Sequence, residues 1–174
     1  MEMNKMRVAM GQINSTLGDI QGNAHKIISY INEAKNRSVN LIAFPELSIT
    51  GYPPNDIIFD EQFLYENKGV LQEIAEVTEG ITSIVGFVDY NLKKRNPEGS
   101  PILYNAAAIL GGGKVLGIQY KTLLPTYDVF DEDRYFTSAD EHHVFDVSGT
   151  KIGIEICEDM WDDTYEIKVS SILI

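Results

Sequence analysis

Three residues of different chemistry close three apolar runs in this chain. Glu46 follows "NLIAFP", Lys121 follows "VLGIQY", and Cys157 follows "KIGIEI". A carboxylate, an ammonium and a thiol are together the inventory of a covalent acyl-transfer site, with a base, an oxyanion stabiliser and a nucleophile. Each alone has a plainer reading. A loop glutamate can face water, a strand-end lysine can snorkel, and a lone cysteine is usually a small buried hydrophobe. Their shared position is what raises them together: sites in open α/β sheets assemble just past the carboxyl ends of strands, where Glu46 sits.

The elements that must place them can be read from periodicity. "RVAMGQI" (7–13) predicts a buried strand, and residues 23–35 predict a helix with Ala24, Ile27, Ile28, Ile31 and Ala34 on one face. "NLIAF" (40–44) predicts a short strand that stops at Pro45, before the stiff, irregular loop "PELSITGYPPND". A second helix is expected over 60–77, turning Phe63, Leu64, Val70, Leu71, Ile74 and Ala75 inward despite Gly69. "ITSIVGFVDY" (81–90) is the next strand, followed by a polar loop to Pro101. "ILYNAAAIL" and "KVLGIQYKTLL" flank Gly111-Gly112-Gly113 as a hairpin. After a long acidic loop from Pro125 to about Glu141, "HVFDV" and "KIGIEIC" predict a second hairpin about Ser148-Gly149, its last strand ending at Cys157. The final "SSILI" is expected to be a strand. Strand and helix alternating in front, with hairpins behind, indicate a mixed α/β sheet domain.

Composition narrows the function classes. With 174 residues, 44% hydrophobic and 23% charged, the chain fits one globular domain with a proper core. Fourteen basic against 26 acidic residues give a net charge of −12, which disfavours nucleic acid and anionic membrane as partners. The basic run at 93–95 predicts a solvated loop. A single cysteine permits no internal disulfide, and "MEMNKMRVAMGQ" shows no apolar signal region, so a cytoplasmic setting is expected. "GGGK" at 111–114 lacks the Ser or Thr and the following helix of a phosphate loop. Adjacent His142 and His143 do not have chelating spacing, and no metal site is expected.

The three motifs "AFPELSITGY", "YKTLLP" and "GIEICEDMW" together resemble the nitrilase superfamily of carbon–nitrogen hydrolases, whose catalytic set is Glu, Lys and Cys in that order. Within it the chain is most similar to the N-terminal glutaminase domains of glutamine-dependent NAD synthetases, through "TGYPPND", "KTLLPTYDVFDEDRYF" and "ICEDMW". The resemblance runs from about Arg7 to Trp161. It implies a four-layer αββα sandwich, expected to be incomplete at the C-terminus, with residues 1–174 as the N-terminal portion of the domain and a downstream synthetase domain absent. It implies Glu46, Lys121 and Cys157 as catalytic residues, Glu132 as a second glutamate supporting the lysine, and Tyr127 at the glutamine pocket. The implied reaction is hydrolysis of the L-glutamine side-chain amide, needing no cofactor, with ATP and Mg expected only in the synthetase domain. That domain is the implied partner, and a homo-oligomer is expected. Glu158 and Asp159 would raise the pKa of Cys157 if close, which gives Lys121 an electrostatic task. The alternatives are another amidase or carbamoyl hydrolase of the superfamily, and a non-catalytic form of the fold.

Overall fold

The computed structural model describes residues 5–96 and 99–173. Strands β1 (Val8–Met10), β2 (Leu41–Ala43), β3 (Thr82–Arg95), β4 (Pro101–Gly111) and β5 (Lys114–Tyr120) form one sheet in that order. The pairs β1–β2 and β2–β3 are parallel, and each parallel step carries a crossover helix, α1 (Ile20–Asn36) and α2 (Glu61–Glu76). The remaining pairs are antiparallel hairpins. Gly112 and Gly113 turn β4 into β5 with φ of +57° and +76°, the left-handed pair that a two-residue hairpin requires. A second, two-stranded sheet pairs β6 (Val144–Val147) with β7 (Thr150–Gly153).

Both helices start where a carboxylate can accept a free amide. Asp19 accepts from Gly22 N at 3.0 Å, and Asp60 from Phe63 N at 2.9 Å. The Asp19 cap begins α1 three residues ahead of the expected start. Ile27 and Ile31 of α1, and Leu64 and Ile74 of α2, are fully buried against Val85, Phe87 and Ala108 of the sheet. On the opposite face, Ala107 and Ile109 of β4 pack against Ile154 and Ile156. The main sheet therefore lies between a helical layer and the second sheet. Short 3-10 helices at Asn55–Phe59, Glu132–Arg134 and Cys157–Thr164 complete the loops. Among the described residues no helix is long and apolar enough to cross a membrane.

Four sequence expectations are corrected. β1 is not buried: Val8 is 56% and Met10 84% exposed, because β1 is an edge strand and only alternate Ala9 packs on the core. The polar stretch after Tyr90 continues β3 to Arg95, since the ladder with β4 decides this region and hydrophobicity does not. The basic residues 93–95 thus end a strand, while Pro97 and Glu98 of the expected loop lie outside the described residues. The third apolar run stops pairing at Gly153, short of Cys157. Ile154 and Ile156 are still buried, so the alternation reported which side chains are covered, not which backbone is paired. Finally, residues 169–172 form a short helix, α3 (Val169–Ile172), in place of the expected strand. A continuous apolar run carries no period to choose between them, and here Ser170 N donates to Asp162 Oδ2 at 2.9 Å. Ile174 lies outside the described residues.

Candidate active site

Glu46 is held where the β2 ladder ends. Phe44 N still bonds to Ile84 O at 2.9 Å, and Pro45, with no N–H, stops the pairing. The chain then turns tightly over β3, with Leu47 at φ +48°. Gly86 makes room for that turn. A β-carbon there would lie 2.4 Å from Leu47 N and 2.6 Å from Pro45 O, so only glycine admits so close a backbone approach.

Lys121 follows β5 directly, and its N–H donates to Asn105 O at 2.8 Å. Its side chain is fully buried, which rules out the snorkelling reading. The ammonium donates to Glu46 Oε1 at 2.7 Å and to Glu132 Oε1 at 2.9 Å. Glu132 is buried in its own 3-10 turn and also accepts from the Tyr52 hydroxyl at 2.8 Å. Asn105 Nδ2 donates to Glu46 Oε1 at 2.7 Å and to Glu132 Oε2 at 3.4 Å. Burial pulls the lysine pKa down, but the charges of Glu46 and Glu132 outweigh it and hold Lys121 above the ordinary lysine value. Burial pushes Glu132 above the usual carboxylate range, opposed by the Lys121 charge. The ammonium is thus locked as a cation between two acids.

Cys157 begins its 3-10 segment at φ +50° with the residue exposed. A non-glycine residue in that region costs roughly 1–3 kcal/mol and persists only where its surroundings fix it. Asp159 does the fixing. It is buried and accepts from Ile156 N at 3.1 Å, Thr122 N at 3.0 Å and Leu123 N at 2.8 Å. The carboxylate therefore ties the cysteine turn to the segment that follows Lys121. Glu158 is buried too, taking the hydroxyls of Tyr127 at 2.8 Å and Tyr165 at 2.7 Å. Partial burial and the Glu46 charge push the Cys157 thiol up, and Lys121 opposes them. The two acids behind the cysteine are clamps for the turn, and neither is among the groups that shift its pKa.

A cavity of about 260 Å³ opens between Glu46 and Cys157, backed by Ala43, Ile84, Gly86 and Ala107. The structure brings Glu46, Lys121 and Glu132 into direct contact and sets Cys157 on the same cavity as Glu46. Tyr127 stands apart from that lining. It is 54% exposed, stacks edge-on to Phe130 at 5.6 Å, and reaches the site through Glu158. Sequence reasoning missed Asn105 and Tyr52. The first left a signal, a single amide inside the apolar strand "LYNAAAIL", where a buried polar group demands a partner. The hydroxyl of Tyr52 left none. His142 Nε2 pairs with the Thr122 hydroxyl at 2.8 Å.

Residues 7–169 match the family described as carbon-nitrogen hydrolase. The chain belongs to this family. Among its relatives, the glutamine-dependent NAD(+) synthetase of Thermotoga maritima is 41% identical over 162 residues, covering 92% of this chain and 27% of the relative. That of Aquifex aeolicus is 40% identical over 158 residues, covering 90% and 26%. The chain thus spans about a quarter of the length of these relatives. Among solved structures, the glutamine-dependent NAD+ synthetase from Acinetobacter baumannii in complex with ADP superposes with a TM-score of 0.85 at 36% identity, over 98% of this chain and 30% of that one. An amidase from Nesterenkonia sp. shares the fold, with a TM-score of 0.71 at 22% identity over 89% of this chain and 56% of the amidase. The carbon-nitrogen hydrolase fold seen here is accordingly the αββα sandwich that the motifs implied.

Proposed function

We propose that this chain hydrolyses the side-chain amide of L-glutamine through a thioester on Cys157, as the glutaminase part of a glutamine-dependent NAD synthetase. One observation carries the reading: Glu46, fixed by the buried Lys121, faces the same cavity as the exposed Cys157. The similarity to glutamine-dependent NAD(+) synthetases supports the choice of substrate. Cys157 gives its thiol proton to Glu46 and attacks the amide carbon, because the thiolate is the nucleophile. The Lys121 ammonium stabilises the oxyanion that forms on the former carbonyl oxygen. Glu46 then passes its proton to the leaving nitrogen, and ammonia departs. Water deprotonated by Glu46 attacks the thioester, releasing glutamate and returning the thiol. The sum is amide plus water to carboxylate plus ammonium, which balances without a cofactor. ATP and Mg would serve only the synthetase domain, the proposed partner and recipient of the ammonia.

Ammonia release from L-glutamine, compared with a short aliphatic amide, tests the proposal. Glutamine turnover that Cys157→Ala abolishes is the expected result. Hydrolysis of the aliphatic amide alone would assign the site to a different amidase, and undiminished turnover in the alanine variant would remove Cys157 from the mechanism.

A further inference from the structure

Asn105 touches every part of the acid–amine cluster. Its backbone carbonyl accepts the Lys121 N–H at 2.8 Å, and its side-chain amide reaches both Glu46 Oε1 and Glu132 Oε2. It is 1% exposed, in the middle of β4. By strand alternation it shares a face with Ala107 and Ile109, which are packed against the segment that carries Cys157. An apolar residue would suit that face better. The amide instead leaves its own Oδ1 buried with no partner among the described residues, and an orphaned buried acceptor is destabilising. Such a cost calls for a compensating task, and the hydrogen bonds indicate one. Lys121 Nζ and Asn105 Nδ2 both donate to Glu46 Oε1, each at 2.7 Å. Neither donates to Oε2, and the Cys157 thiol lies within hydrogen-bonding reach of the same carboxylate.

We propose that Asn105 is a positioning residue for proton transfer: with Lys121 it occupies Oε1 of Glu46, leaving Oε2 as the oxygen that takes the Cys157 proton. In that step the S–H bond breaks, an O–H bond forms on Oε2, and the electron pair stays on sulfur. Two donors on one oxygen fix the carboxylate plane and concentrate the remaining basicity on the other lone pairs. The proposal rests on the assignment of Glu46 as base and Cys157 as nucleophile, but not on glutamine as the substrate. The charged or titratable groups that act with Glu46 here are Lys121, Glu132, Cys157 and Tyr52.

Because Cys157 is the only cysteine, its alkylation by iodoacetamide reports this proton transfer whatever the substrate. In Asn105→Leu, a donor to the carboxylate is lost, so the acid limb of the alkylation–pH profile should move up by about one pH unit. Asn105→Ala removes the same donor with a smaller side chain that adds no charge, so its limb should move up by a similar amount. It also carries the test if the leucine variant fails to fold. A limb that stays in place in the folded variants, even with all rates lowered, would make Asn105 merely structural and overturn the proposal. Failure of the chain to release ammonia from glutamine would leave these profiles intact, so the two readings fail separately.

Discussion

The helical face and the polar end of the main sheet are held by different physics. Under α1 and α2 the interface is aliphatic: Ile27, Ile31, Leu64 and Ile74 are wholly buried, and nothing in their bonding singles out one partner. Dispersion and burial act there, and volume-conserving swaps are tolerated. At the carboxyl end of the sheet, five polar side chains meet in one cluster. Glu46, Tyr52, Asn105, Lys121 and Glu132 come from four segments of the chain and bond at 2.7 to 2.9 Å in their closest pairs. Lys121 is the member on which most depends, since both Glu46 and Glu132 bond to its ammonium. The helical face gives stability that many sequences could supply, whereas the polar end gives a geometry that depends on each residue present.

Substitutions should separate these regions. The largest effect is expected at Lys121→Met, which keeps length and removes charge. Amide hydrolysis should fall roughly 100-fold or more, as when an oxyanion stabiliser is deleted. The variant should also lose about 3–5 kcal/mol of stability, since buried Glu132 and partly buried Glu46 both lose their cation. A loss in denaturant melts without a loss of rate would place Lys121 with the structural face. Gly86→Ala should come next. Its new methyl group meets the backbone of the Glu46 turn, and a displacement of about 1 Å at the base costs on the order of 100-fold in rate. Activity assays together with near-ultraviolet circular dichroism would show whether the site alone is disturbed.

Ile27→Ala sharpens the contrast from the other side. It should cost about 2–5 kcal/mol of stability through the cavity it leaves, while the folded variant alkylates Cys157 at the unaltered rate. Any change in the pH profile of that alkylation would show that the two regions are coupled. The smallest effect concerns alkaline pH. The Lys121 pKa lies above its ordinary value of 10.5 in the fold, and Tyr165, bonded to Glu158, is pushed up to about 12. Raised folded values mean that the unfolded chain loses these protons first. Their contribution is complete below the unfolded pKa values and is lost as pH rises through the folded ones. Thermal midpoints should therefore hold up to about pH 10 and then decline, more gently in Lys121→Met. A midpoint that rises in that window would contradict the sign.

The sequence alone determined the helical face and the inventory of the site. Apolar residues at helical spacing marked α1 and α2, and strand ends marked Glu46, Lys121 and the neighbourhood of Cys157, because side-chain periodicity follows directly from backbone geometry. The motifs named the family. Tertiary structure decided which backbone is paired, since pairing depends on partners distant in sequence. It carried β3 through its polar end, ended β7 before Cys157, and left β1 at an edge. Tertiary structure also decided how the charges are shared. Lys121 is locked between Glu46 and Glu132, 75 and 11 positions away in the chain, and Asp159 spends its carboxylate on three backbone amides. Residue types announce which bonds are available. Only the folded chain, where burial makes an unpaired polar group costly, selects the partners.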